Sequence, residues 1–401
     1  MAGGQGERLH PLTVFRPKPA VSFGGIFRII DFTLFNCLHS GLSRVSLLTQ
    51  YRYEELHRYI RERWSKLWNN TEQYGRSQLL LLPSTSGKRY RGTADAVFRN
   101  TELLESDDAE YVLILSGDHI YNMDYGGLLR QHAETGADLT IATVEHPAGN
   151  ASHFGVVEVD ENFKVTSFEE KPEHARPLPS RPSMALVSMG VYVFKKKVLL
   201  ESLRRFCETG LGYDFGHDII PSLISSGRTY AYDFRDDTQS STPYWRDIGT
   251  LDGYYKASME LVDPDGPFNP YTSDGWTSQP TRHPSFSGRG MAAPTLCREG
   301  DARITRSVLS PDTELAHGVT VDKSILMPGV RIGEGARVRC AIVDEGVQIP
   351  AGLRIGFDLD QDRRNHTVSD AGIVVVSKTP KMKYPVAMHF GATSARVARK
   401  C

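Results

Sequence analysis

A six-residue step near the C-terminus constrains this chain more than any other feature. Leu326, Ile332 and Val338 are six apart, Val343, Ile349 and Ile355 repeat the spacing, and Val319 and Ile325 keep it. Gly329, Gly333, Gly335, Gly346, Gly352 and Gly356 punctuate these positions. An aliphatic residue at each recurrence is what a parallel β-helix requires, because each short strand turns a corner and presents one side chain to a narrow core. An irregular β-rich loop region is the competing reading. Only about three to five coils are visible, so the repeat is expected to pack against something larger.

The larger unit lies upstream. With 401 residues the chain exceeds one ordinary core, and its first two-thirds alternates short apolar runs with helix-like stretches. Arg44 to Gln50, Leu79 to Leu82, Tyr111 to Leu115 and Leu139 to Val144 read as strands. Tyr53 to Trp64, Ala94 to Leu104 and Leu128 to His132 read as helices, and Phe154 to Val159 with Val165 to Phe168 as a hairpin. Four prolines between Pro172 and Pro182 predict a loop. The expected fold is an α/β layered domain over residues 1–262, a linker over 263–300, a β-helix over 301–378 and a basic tail over 379–401. The linker is placed by its six prolines and five glycines.

Charge narrows the function. Lys and Arg number 47 against 48 Asp and Glu, a net charge of -1 that argues against broad nucleic-acid binding. No apolar run approaches the roughly 20 residues that span a bilayer, and no export signal is visible. Five scattered cysteines without a CxxC pair read as reduced thiols of a cytosolic protein.

Five segments carry chemistry. Ala2-Gly-Gly-Gln-Gly-Glu-Arg8 lets backbone N–H groups approach phosphate oxygens, with Arg8 adding charge-assisted bonds; an exposed basic loop is the plainer use. Arg16-Pro-Lys-Pro19 holds Lys18 on a stiff segment. Ser116-Gly-Asp-His119 follows an apolar strand, where open α/β sheets bind ligands, so Asp118 is either a helix cap or a Mg²⁺ ligand. Asp247 in Tyr244-Trp-Arg-Asp-Ile-Gly249 is a second candidate carboxylate. Phe168-Glu-Glu-Lys-Pro172 puts Lys171 at a strand end, as a solubilising charge or an anion ligand, with Glu170 a partner for sugar hydroxyls. Two acids and two basic motifs fit metal-assisted phosphoryl chemistry better than hydride or acyl transfer, and no GxSxG, HExxH or P-loop occurs.

In order, AGGQGERLHPLT, RPKPAVSFGG, RIIDF, YRGTADA, SGDHIY, FEEKP, SMGVYVF, DFGHDIIP and YWRDIGTLDGYYKA strongly resemble the bacterial glucose-1-phosphate adenylyltransferases, or ADP-glucose pyrophosphorylases, from Met1 to about Val376. AGGxGxRL and EKP are shared by all sugar-nucleotide pyrophosphorylases; RPKPAV with RIIDF, YRGTADAV and YWRDIGT are narrower. The resemblance implies a Rossmann-like domain with a mixed, mostly parallel sheet and a left-handed parallel β-helix. It implies ATP and glucose 1-phosphate as substrates, ADP-glucose and pyrophosphate as products, and the committed step of glycogen synthesis. Gly3, Gly4, Arg8, Lys18, Tyr90 and Gly92 match ATP-side positions, with Arg8, Lys18 and Asp118 catalytic. Asp118 and Asp247 match the Mg²⁺ pair. Tyr90, Gly155, Glu170, Lys171, Ser188 and Tyr192 match the glucose 1-phosphate side. A cytoplasmic homotetramer with metabolite effectors, and without nucleic-acid or membrane partners, is also implied.

Three departures bear on that reading. A Gly-rich loop of this kind should leave a buried strand of about five or six residues, expected upstream of Ala2 and absent from this sequence. Phe15 stands where members activated by fructose 1,6-bisphosphate carry lysine, and an aromatic ring cannot pair with that phosphate. His217 stands where many members have lysine, beside the retained Asp214 and Asp218. The competing functions are a sugar-1-phosphate nucleotidyltransferase using dTTP, UTP or GTP, and a silent regulatory subunit.

Overall fold

The computed structural model describes residues 1–69, 78–84, 89–225, 227–234, 243–263, 265–268, 291–293, 297–299, 301–310, 312–378 and 395–396. Much of the expected linker and nearly all of the basic tail lie outside the described residues. Within the linker, Met291–Ala293 and Cys297–Glu299 pair antiparallel with the first β-helix strands.

The strands of the N-terminal unit are β1 (Ser22–Phe23), β2 (Phe27–Arg28), β3 (Arg44–Thr49), β4 (Gln78–Pro83), β5 (Tyr111–Leu115), β6 (His119–Tyr121), β7 (Leu139–Pro147), β8 (Gly155–Val159), β9 (Val165–Glu170), β10 (Met184–Lys195), β11 (Thr229–Asp233) and β12 (Trp245–Asp247). The sheet is mixed. β5, β7 and β11 run one way, and the long β10 is wedged antiparallel between β5 and β7. β3 and β4 form a separate parallel pair. Strands β5 and β7 and the β8–β9 hairpin stand where the apolar runs placed them. The stretch Ala94 to Leu104, expected as one helix, is two: Thr93–Phe98 and Thr101–Glu105. Asn100 breaks it. Its backbone leaves the helical region, and its side-chain amide donates to the Ala96 carbonyl at 2.8 Å, a local bond that competes with the helix.

Asp31 explains the RIIDF segment. It is fully buried and its carboxylate accepts from the Arg28 N–H at 2.8 Å, Tyr59 Oη at 2.5 Å and Trp64 Nε1 at 2.7 Å. One side chain thus closes the start of helix Ile29–His39 and pins helix Tyr53–Arg63 against it.

The β-helix repeats every 17 residues, not 18. Arg303, Thr320, Arg337 and Arg354 stack, as do Glu314, Arg331 and Gln348. The six-residue steps hold over Leu326–Ile332–Val338 and again over Val343–Ile349–Ile355, and the step from Val338 to Val343 is five. The tight corner lies at Arg306, Lys323 and Cys340, all left-handed at φ 41 to 47. Serine follows it. Ser307 Oγ accepts from the Ser324 N–H at 3.0 Å, and Ser324 Oγ from the Ala341 N–H at 3.2 Å, so buried hydroxyls carry the ladder around the short corner.

The two units share a core: Val308, Ile325, Met327 and Ile342 of the β-helix pack in one cluster with Phe23, Phe32 and Tyr254. A buried ion pair crosses the same seam, where Arg16 Nη2 lies 2.9 Å from Asp344 Oδ1 with both side chains 2% exposed, and Nη1 lies 3.0 Å from Glu345 Oε1.

Asp344→Ala is expected to destabilise the protein by roughly 3 kcal/mol, because it strands part of a buried guanidinium. Thermal unfolding checks this against exposed Asp360→Ala, expected to change stability by less than about 0.5 kcal/mol. A second expectation concerns pH. Burial outweighs the three hydrogen bonds and raises the Asp31 carboxyl from 3.8 to about 6. The folded state therefore holds this proton more tightly than the unfolded chain, and its contribution is complete below pH 4 and lost as pH rises through 6. The stability difference between the native chain and Asp31→Asn should fall by about 2 kcal/mol between pH 4 and 6.5 in denaturant titrations.

Candidate active site

A cleft of about 750 Å³ opens at the carboxyl end of β5. Its lining includes Gly3, Gly4, Arg8, Lys18, Tyr90, Gly92 and Asp118, so one wall collects every residue expected on the ATP side.

Lys18 is the centre of this wall. Its side chain is 7% exposed, and Nζ donates to Asp247 Oδ1 at 3.0 Å and lies 3.1 Å from Asp118 Oδ2. Asp118 sits in the turn that leaves β5, and Asp247 ends β12. They meet because β12 pairs antiparallel with β6, which sets Asp247 opposite His119. Burial disfavours all three charges, but their mutual attraction outweighs it. Asp118 is held well below the ordinary carboxylate range by Lys18, His119 and the 2.6 Å hydrogen bond that Ser116 Oγ donates to it. Asp247 is lowered by the same lysine and histidine, and Lys18 is raised.

Two ionised carboxylates against one ammonium leave an excess negative charge facing the cleft. Among the described residues no group of three or more His, Cys, Asp and Glu side chains could hold a metal. A pair is enough for Mg²⁺, which commonly takes one or two carboxylates and completes its shell with phosphate oxygens and water. Asp118 and Asp247 fit that ion.

The loop glycines differ in what they do. Gly4 faces open space, whereas a Cβ on Gly6 would lie 2.8 Å from Lys18 Cβ, and its φ of 65 belongs to the left-handed region. Gly6, which the sequence reading did not single out, is thus what lets the loop close over the lysine. Gly92 is required by proximity: its Cβ would meet the Tyr213 carbonyl at 2.3 Å, and that carbonyl accepts from the N–H groups of Ala94 and Asp95. Tyr90 is held by its N–H on Gln50 Oε1, and Arg99 lies over its ring. Arg8 is exposed and reaches over Gly249 beside Asp247.

The sugar-side candidates form a second cluster. Gly155 pairs with Glu170 across β8 and β9, and a Cβ there would strike Phe168 at 2.4 Å. Ser188 Oγ donates to Tyr192 Oη at 3.2 Å in the β10 interior, and burial raises the Tyr192 hydroxyl, helped by the charges of Glu170 and Asp214. Lys171 is left-handed at φ 50, 60% exposed and 3.3 Å from Glu170. It is not among the residues that line the cleft with Lys18 and Asp118. Asp214 joins the clusters: it lines the cleft, accepts from Thr93 Oγ1 at 2.9 Å and acts on Tyr192. His217 is exposed, and so is Phe15, at 46%. Ser116 and His119 were visible in the SGDH turn but were given no role; His119 Nε2 lies 3.7 and 3.9 Å from the two carboxylates.

Residues 1–263 match the nucleotidyl transferase family, and 290–376 match the GlmU-like C-terminal hexapeptide family, a left-handed β-helix. The chain is 42% identical to the glucose-1-phosphate adenylyltransferase of Nitrosomonas europaea, covering 95% of this chain and 92% of that one. It is 42% identical to that of Koribacter versatilis, with 94% of each covered, and 40% identical to glucose-1-phosphate adenylyltransferase 2 of Alkalilimnicola ehrlichii, with 95% and 93% covered. The chain belongs to the nucleotidyl transferase family and, within it, to the glucose-1-phosphate adenylyltransferases.

Proposed function

We propose that this enzyme transfers the adenylyl group of ATP to glucose 1-phosphate, giving ADP-glucose and pyrophosphate. The observation that carries the reading is Lys18 held between Asp118 and Asp247 in the wall of a glycine-lined cleft. A phosphate oxygen of glucose 1-phosphate attacks the α-phosphorus in line; the new P–O bond forms as the bond to the β-phosphate oxygen breaks, and pyrophosphate leaves. Positioning and charge neutralisation supply the catalysis, with no enzyme nucleophile. The loop Gly3–Gly4 and Arg8 bind the triphosphate, and Lys18 neutralises charge on the reacting phosphate. Tyr90 and Gly92 border the nucleotide. Mg²⁺ held by Asp118 and Asp247 supplies further charge neutralisation when bound. Glu170, Ser188, Tyr192 and Gly155 form the sugar pocket, and Lys171 leaves Glu170 to meet the sugar phosphate.

The same reading makes the reaction the step that commits glucose to glycogen, carried out by a cytoplasmic homotetramer under metabolite control. Among the described residues no helix is long and apolar enough to cross a membrane.

Asp118→Asn should lower kcat by at least about 10²-fold in a pyrophosphate-release assay while the melting temperature stays within a few degrees. Near-normal turnover would contradict the assigned role. Lys171→Ala should raise KM for glucose 1-phosphate far more than KM for ATP; equal effects would place this lysine outside the sugar-phosphate site. Assayed with ATP, dTTP, UTP and GTP, the chain should prefer ATP, and turnover favouring another nucleotide would overturn the adenylyl assignment.

A further inference from the structure

Asp95 stands behind the nucleotide wall. Tyr90, Gly92, Thr93 and Ala96 line the cleft; Asp95, in the first turn of helix Thr93–Phe98, is fully buried and does not. Its carboxylate is occupied on both oxygens. Oδ1 accepts from Arg91 Nη2 at 2.6 Å and from Arg91 Nε at 3.1 Å. Oδ2 accepts from the Arg91 N–H at 3.0 Å and lies 2.9 Å from Arg99 Nη2. Burial disfavours the charge, but the bonds from Arg91 and the charge of Arg99 outweigh it and hold the carboxyl below its ordinary range.

The two arginines diverge onto two tyrosines. The Arg99 guanidinium lies 5.7 Å from the centroid of the Tyr90 ring, and that of Arg91 lies 3.7 Å from the centroid of Tyr213. A guanidinium within about 6 Å of a ring face is attracted to it, and its planar fork fixes the ring's position more closely than a point charge does. Tyr90 belongs to the nucleotide wall. Tyr213 begins the segment that carries Asp214, and its carbonyl accepts from the N–H groups of Ala94 at 2.8 Å and Asp95 at 3.2 Å. Thr93 Oγ1 completes the junction, donating to Asp214 Oδ2 at 2.9 Å and accepting from the Phe215 N–H at 3.0 Å. One residue further on, a Cβ on Gly216 would lie 2.6 Å from Glu170 Oε2, so this segment packs directly on the sugar-side carboxylate. One buried carboxylate therefore reaches the nucleotide wall through Arg99 and the sugar cluster through Arg91.

We propose that Asp95 is a positioning residue for both substrates: through its two arginines it sets the spacing between Tyr90 and Tyr213, and with it the alignment of the nucleotide and the sugar phosphate. The role rests on the adenylyl-transfer reading of the cleft. Asp95 itself touches neither substrate. Its effect on the reaction passes through Arg99 on one side and Arg91 on the other, so the two arms are separable by substitution.

The test is steady-state pyrophosphate release by the full chain, with ATP and glucose 1-phosphate varied separately. Asp95→Asn keeps the shape and one carbonyl oxygen but removes the charge that holds both guanidiniums. It should raise KM for both substrates and lower kcat/KM at least about tenfold. Arg99→Met should raise KM for ATP about three- to fivefold and change KM for glucose 1-phosphate by less than about twofold. Arg91→Met should raise KM for glucose 1-phosphate by more than Arg99→Met does. Exposed Asp360→Asn should leave all these constants unchanged. If Asp95 only stabilised its helix, its loss would shrink the folded fraction and lower apparent kcat with both KM values unchanged. Native KM values in Asp95→Asn, or the same pattern of KM changes from both arginine variants, would overturn the proposal. Arg91 and Arg99 side chains are 44% and 28% exposed, so these two variants decide the matter even where Asp95→Asn fails to fold. A native chain that releases no pyrophosphate from the two substrates overturns the enzymatic reading and this role with it. A native chain that turns over while all three variants keep its KM values overturns the positioning role alone.

Discussion

Two buried cations two residues apart organise this molecule. Arg16 and Lys18 alternate with Pro17 and Pro19, which fix their own φ angles and leave the segment little freedom. Arg16 points into the β-helix, to Asp344 and Glu345, and Lys18 into the cleft, to Asp118 and Asp247. Each cation meets two carboxylates in a place where an unpaired charge would be costly. The segment is thus anchored at one end by the β-helix and at the other by the two cleft carboxylates, and the prolines fix the spacing between the two anchors.

The β-helix was legible because a narrow core forces a periodic sequence. The 17-residue coil is itself present in the five-residue step from Val338 to Val343, but nothing in the sequence marks its short corner, made by Arg306, Lys323 and Cys340 in a backbone conformation usually given to glycine. The buried serines beside that corner were equally hidden, because Ser307 and Ser324 look like ordinary loop residues until the next coil is stacked on them. The single helix expected over Ala94 to Leu104 failed for a local reason: propensity favoured helix throughout, and one asparagine side chain took the Ala96 carbonyl instead.

The site divides along the same line. Asp118 was readable as a carboxylate at a strand end, and Asp247 as an acid in a narrow motif. Their meeting on one lysine rests on the pairing of β6 with β12, two three-residue strands with almost no pattern of their own. Gly6 was overlooked in favour of its neighbours because sequence does not say which glycine lies against Lys18. Lys171 shows the opposite limit. The motif marked it correctly as a charge at the end of β9, but its partner here is the adjacent Glu170, and no spacing rule separates a lysine waiting for a ligand from one that merely solubilises a turn.

The turn carrying Asp118 also depends on what lies between β3 and β5. A Cβ on Gly117 would come within 2.8 Å of Ile30 Cδ1 and 3.0 Å of the Met1 carbonyl, so the turn is packed directly on the first residue and on helix Ile29–His39. Ser116, whose hydroxyl holds Asp118, lies between Leu115 and Gly117, whose backbone groups both bond to Met1, and the Thr33 hydroxyl donates to its carbonyl at 3.1 Å. The Ala2 N–H donates to the Leu48 carbonyl at 2.8 Å, so Met1 and Ala2 tie β3 to the end of β5. The packing of Ile30 and Met1 under Gly117 thereby sets the aim of the carboxylate beside Lys18.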